Sequence, residues 1–165
     1  MTTSQHPGDR PMRRQDREIE DPAAVRSILK TATVLRLGLC DGEWPYVVPL
    51  NYGLHKDNLY FHCANEGKKL DLIRANPRVC FEVEGRVELL PGEKACDWSV
   101  KYESVIGYGQ ASIVADEAER RTAVAALVLQ MGAEDPQLPE KLPASMPIVR
   151  IAIESLSGKT SMQLK

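Results

Sequence analysis

Glu66-Gly67-Lys68-Lys69 is the run whose residue types and spacing suit anion chemistry. It stands where an alternating apolar segment ends and a helix-like segment begins. A glycine there permits close backbone approach, and the free amides of a helix start attract anions. Two lysines add positive charge at the same point. The expected chemistry is capture of a phosphate, and the expected ligand a phosphorylated cofactor held at the edge of a β-barrel. His62 lies just ahead of this run, on the strand face opposite Phe61 and Cys63. Its imidazole changes charge near neutrality, so it reads either as an ordinary half-buried histidine or as a functional group beside the anion site.

The elements that must carry these residues are short. Asp21-Pro22 suits a helix start, with Val25, Ile28 and Leu29 on one face up to Thr31. Leu35, Leu37 and Leu39 alternate along a strand over 33–40, and Asp41-Gly42 is a hairpin turn. The strand over 44–54 puts Trp44, Tyr46, Val48, Leu50 and Tyr52 on one face and Val47, Pro49 and Asn51 on the other. Pro49 cannot donate to a ladder, which places this strand at an edge or a bulge. An edge leaves backbone groups free for a planar ligand, or serves only as protection against aggregation. Further strands are expected over 58–64, 78–84, 86–90, 104–115 and 148–154. Helices are expected over 68–75 and, from the capping box Asp116-x-x-Glu119, to about Met131 with Val124, Leu127, Val128 and Met131 as the apolar stripe. Gly107 and Gly109 predict a bulge or the close approach of another backbone or ligand. Gly132 to Pro147 reads as a surface loop, and the chain from Ser155 as a polar tail.

Six or seven strands with short covering helices make an α+β, mainly β, small barrel. Residues 1–11 read as a disordered N-terminal tail and 12–165 as a single domain. The charged lead-in over 12–20 reads as solvated, or as an arm lying on a partner. The 165 residues suit one domain with a real core. A net charge of -2 and the lack of a basic patch interleaved with aromatics exclude a general nucleic-acid binder. No apolar run reaches membrane-spanning length, and polar residues follow Arg13-Arg14 where an export signal needs an apolar stretch. The expected location is the cytoplasm. Cys40, Cys63, Cys80 and Cys96 lack metal-ligand spacing, so they read as free thiols and no metal is expected.

Five stretches carry a family likeness. They are MRRQDREI at 12–19, LRLGLCDGEWPYVVPLNYG at 35–53, LYFHCANEGKKLDLIRANPRVCFEV at 59–83, KYESVIGYGQA at 101–111 and IVRIAIESLSGK at 148–159. In order and spacing the chain resembles the FMN-binding split-barrel flavoproteins of the pyridoxamine 5'-phosphate oxidase-like superfamily. Within them it is most similar to the nitroimidazole-resistance (Nim-type) branch. The resemblance implies a homodimer with FMN between subunits. Backbone groups of Val47, Val48, Pro49, Leu50, Asn51 and Tyr52 would line the isoalloxazine ring. Gly67, Lys68 and Lys69 would hold the phosphate, and Ser104 and Val105 would approach from the partner subunit. His62 would stand beside flavin and substrate as a proton donor, and Trp98 and Tyr102 would wall the substrate space. The implied function is an FMN-dependent oxidoreductase acting on small nitroaromatic acceptors. The alternatives are an FMN- or haem-binding carrier or sensor without turnover and, third, a pyridoxamine 5'-phosphate oxidase, which would need a second basic cluster.

Overall fold

The computed structural model describes residues 6–143 and 145–162. Its strands are β1 (Glu18–Ile19), β2 (Val34–Asp41), β3 (Trp44–Asn51), β4 (Gly53–His55), β5 (Asn58–His62), β6 (Arg78–Leu90), β7 (Ser99–Ile113) and β8 (Ile148–Thr160). Three helices, α1 (Pro22–Thr31), α2 (Lys68–Ala75) and α3 (Glu117–Gln130), pack on them. Among the described residues, no helix is long and apolar enough to cross a membrane.

All strand pairs are antiparallel, in the order β3-β2-β6-β7-β8-β5-β4, with β1 added to β8. The two ends of this path, β3 and β4, are consecutive in the chain and separated only by Tyr52. The sheet is thus tied into a split barrel by one residue. Tyr52 is fully buried, and its hydroxyl donates to the Leu29 carbonyl at 2.6 Å. What reads in the sequence as one strand over 44–54 is therefore two, at opposite margins of the sheet.

The barrel fills as alternation requires. Leu35, Leu37, Leu59, Phe61, Val79, Phe81, Val83, Val105, Val149 and Ile151 point inward, joined by Val25, Ile28 and Leu29 of α1 and Leu70 and Ile73 of α2. A smaller cluster on the other face of β5 holds Tyr60, Ile148, Val114 and Ala123. Helix α3 buries Ala123, Ala126 and Leu127 with Arg120, so small residues make its contact face and Met131 is exposed instead of buried.

The reason is Gly53. A Cβ there would stand 2.3 Å from the Ala126 carbonyl carbon and 2.4 Å from the Leu127 nitrogen, so α3 lies directly on the β4 backbone. Gly53→Ala therefore overpacks backbone against backbone, and we expect a loss of about 1–3 kcal/mol. The check is the denaturant midpoint against wild type, and an unchanged midpoint would refute this packing.

Several elements run longer than the sequence pattern shows. β6 is one strand with a register shift between Glu84 and Val87, and β7 begins at Ser99. β8 continues through the polar stretch to Thr160, because Ser155–Thr160 is held by β7 on one side and in part by β1 on the other. Gly107 and Gly109 are explained within the chain. The Phe81 ring covers Gly107, and Gly109 sits at a bulge against the Ala152 carbonyl. They are thus no evidence for a partner backbone.

The charged lead-in is also ordered on its own sheet. The chain turns through a 3-10 segment at Gln15–Arg17, and Glu18 and Ile19 pair with Lys159 and Gly158. Upstream, Pro7–Asp9 forms another such turn, and His6 Nε2 contacts Glu154 at 3.2 Å with its ring edge-on to Tyr108. The tail expected over 1–11 therefore carries a turn and a side-chain contact from His6 on, and residues 1–5 lie outside the described residues. Within the lead-in over 12–20, Glu18 and Ile19 are thus part of the chain's own sheet.

Candidate functional site

Helix α2 begins at Gly67 without a side-chain cap. Gly67 has φ 124° and ψ 162°, a region open essentially only to glycine. Its carbonyl accepts from Leu70 at 2.9 Å and Asp71 at 3.3 Å, whereas the Lys68 and Lys69 amides have no cap. These two donors and the positive end of the helix open on a cavity of about 180 Å³ lined by Tyr46, Cys63, Ala64, Glu66, Gly67, Lys68, Lys69 and Leu70.

Two aromatic rings hold the lysines at this mouth. Lys68 Nζ lies 5.0 Å from the Tyr46 ring centre, and Lys69 Nζ lies 5.3 Å from that of Phe61. Such cation–π contacts contribute about 0.5–1 kcal/mol each at exposed sites. Lys68 also pairs with Asp41 Oδ2 at 2.5 Å, with both side chains about half exposed. An exposed ion pair of this kind is worth roughly 0–1 kcal/mol, so an incoming anion can take Lys68 over at small cost. Glu66 adds an acidic group to the rim. Burial pushes the Cys63 thiol up from its ordinary value, with the Lys69 and Arg74 charges acting in the opposite direction. Cys63 is therefore a neutral wall of the cavity and not a thiolate nucleophile.

The residues fit a phosphate ester: two unpaired amides, two ammonium groups and no bulk beyond the glycine. They do not enclose a whole cofactor, because 180 Å³ falls below the roughly 300 Å³ that small-molecule pockets commonly begin at. The remainder of a phosphorylated cofactor would have to lie outside, and the adjacent surface offers a place. β3 pairs only with β2, so its other backbone edge is free, as Pro49 predicts. Val47, Pro49 and Asn51 are exposed along it, Val48 and Leu50 are half-buried, and Tyr52 is entirely core. Tyr52 thus contributes a barrel closure, not a cofactor-facing side chain.

The other residues singled out in the sequence are not gathered at this cavity. His62 is exposed at the end of β5, with no hydrogen-bond partner among the described residues. It pairs with Ile148 and shares a strand face with Tyr60, whose hydroxyl donates to Glu119 at 3.1 Å. Burial, then the Glu119 contact, pushes that phenol up to about 12, so Tyr60 holds its proton and is a structural group. Cys63, one residue on from His62, lines the cavity. Val105 is fully buried, and β7 is paired on both edges there, so Val105 offers a partner no side chain; Ser104 beside it is half-buried on the outer face. Trp98 is 59% exposed just before β7. Tyr102 is held by Arg17 at 3.5 Å and lies under Lys159, remote in the sheet from α2. A single chain therefore does not unite Trp98 and Tyr102 with Lys68 and Lys69.

Asp41, Tyr46 and Cys63 belong to the cavity surroundings without any mark in the sequence pattern that would say so. Alternation places Tyr46 on an inward face, but no periodicity announces that a β2–β3 turn reaches the start of α2. Among the described residues, no group of three or more His, Cys, Asp or Glu is arranged to hold a metal ion.

Comparison with known proteins bears on the fold and the family. The family model described as pyridoxamine 5'-phosphate oxidase matches residues 21–160. A candidate 5-nitroimidazole antibiotic resistance protein from Bacteroides thetaiotaomicron superimposes with a TM-score of 0.75 at 29% identity, covering 87% of this chain and 86% of that one. An FAD-binding protein from Mesorhizobium loti gives a TM-score of 0.65 at 28% identity, covering 88% of this chain and 97% of that one. The uncharacterized protein RA0666 of Rhizobium meliloti is 27% identical over 43% of this chain and 56% of its own length, so the match spans about half of that curated relative. The likeness to the nitroimidazole-resistance branch, carried by the motifs, is supported by the first of these structures.

Proposed function

Because this chain belongs to the pyridoxamine 5'-phosphate oxidase family, we propose that it is an FMN-dependent oxidoreductase reducing small nitroaromatic acceptors of the 5-nitroimidazole kind. The observation that carries the reading is the uncapped start of α2, where Lys68 and Lys69 open a cavity beside the free edge of β3. A flavin phosphate carries between one and two negative charges, which suits two ammonium groups and two unpaired amides. When bound, the flavin supplies the electrons. The protein's part is to bind the phosphate at α2, align the ring along β3 and provide a proton. Reduction of a nitro group to nitroso consumes two electrons and two protons and releases water. His62 is the proposed proton source, being exposed and unengaged one residue from the cavity wall.

The active unit in this reading is a homodimer. The outer face of β2, β3 and β7 exposes Val34, Val47 and Ile106, at 41%, 62% and 43%. One chain's cavity is too small for the cofactor, so a second copy supplies the opposite wall. The test is a pair of measurements on purified full-length protein. We expect flavin absorption bands and a light-scattering mass about twice that of the 18.3 kDa monomer. A flavin-loaded monomer would sink the shared site. A haem Soret band without flavin bands would favour a haem-binding role instead.

A further inference from the structure

Trp44 is the most exposed large apolar residue among the described residues, at 78%, and nothing in the core explains it. It faces Asp41 directly across the β2–β3 turn, and by strand alternation it shares a face with Tyr46. Asp41 is the ion-pair partner of Lys68, and Tyr46 is the ring beneath Lys68. Trp44 therefore stands about 7 Å farther along β3 than Tyr46, on the side of the phosphate cavity away from Val47–Asn51.

Along β3 the features have a linear order: a free backbone edge over 47–51, the lysine cavity at Tyr46, and an exposed indole at the turn. A flavin dinucleotide has the same linear order of ring, phosphates and base. We propose that Trp44 is a stacking platform for a nucleobase, so that the site accepts the adenine end of FAD beyond the phosphates. This rests on the reading of the α2 cavity as the phosphate end of a flavin site. The chemistry is consistent along its length. A pyrophosphate presents two negatively charged groups to two separate ammonium groups, Lys68 and Lys69. At the β2–β3 turn, Gly42 has φ 58° and no atom lies within 4 Å of its would-be Cβ, so the turn itself adds no bulk. Indoles stack on any base through its π-face, which gives affinity without sequence-like selectivity.

The experiment is equilibrium binding of FAD, FMN and riboflavin to full-length apoprotein, read by flavin fluorescence, for wild type, Trp44→Ala and Trp44→Phe. Loss of one base–aromatic stack lowers affinity roughly fivefold or more. We expect Trp44→Ala to weaken FAD by about that factor, to leave FMN within about twofold, and Trp44→Phe to restore most of the FAD affinity. The high exposure of Trp44 makes a folding defect an unsuitable explanation for a selective effect. Equal small effects on FAD and FMN overturn the proposal, as does a joint loss of both ligands accompanied by loss of dimer mass, which would make the indole a contact with a second copy. Lys68→Ala/Lys69→Ala serves as the separate control. If it leaves the FMN-to-riboflavin ratio unchanged, the phosphate reading itself fails, whatever Trp44 does.

Discussion

Replacing Lys68 and Lys69 together by alanine should lower FMN affinity at least tenfold and leave riboflavin affinity within about twofold. The two ligands differ only in the phosphate, so their ratio isolates the site at α2. Hydrogen bonds to charged groups are worth about 1.5–3 kcal/mol, and even one lost at the low end is roughly a tenfold change. The upper end is not expected, because the Lys68 side chain is 54% exposed and part of its charge is screened. Removing Lys68 has a second consequence. Asp41 loses its cation and remains near the phosphate as an unpaired negative charge. Lys68→Ala alone should thus cost more than Lys69→Ala alone. The measurement is titration of apoprotein with each ligand at two salt concentrations, with the FMN difference shrinking as salt rises. Equal weakening of FMN and riboflavin would make both lysines structural.

His62→Ala should fold, dimerise and keep FMN, and should reoxidise its reduced flavin with a nitroimidazole about 10²–10⁴-fold more slowly. Exposure of His62 and its lack of partners among the described residues make a folding defect unexpected. The assay reduces the bound flavin first, then mixes it with the acceptor, so that no natural electron donor is needed. Added imidazole should recover part of the lost rate in the variant and none in the wild type, a response that a packing residue does not give. Strand alternation groups His62 with Tyr60 and away from Phe61, so its imidazole must reach the reacting atoms around the end of β5 or from the facing copy. Unchanged rates would remove His62 from the chemistry.

The uncapped, lysine-bearing start of α2 is legible in the amino-acid sequence because its signals are local. A glycine followed by two lysines at a strand-to-helix junction specifies uncapped amides and positive charge through backbone geometry alone. The same holds for the Asp21 cap of α1, the Asp116 cap of α3 and the Asp41-Gly42 turn, all of which form where the local residues dictate. Alternation also names the inward residues of β2, β5 and β6, since a period of two assigns faces without knowing the partner strand.

What tertiary structure decided is everything that depends on which strand lies beside which. Periodicity cannot report that a strand is cut at Tyr52, because the buried face continues through the break while the chain crosses from one margin of the sheet to the other. It cannot extend β8 through Ser155–Thr160, where pairing to β7 overrides a polar composition. It reads Gly107 as room for another molecule when the room is filled by Phe81. The site follows the same division. Lys68 and Lys69 are adjacent in the chain and come together by necessity. Asp41 and Tyr46 reach Lys68 only because the barrel brings the β2–β3 turn to the start of α2, a long-range contact whose partners no local pattern encodes.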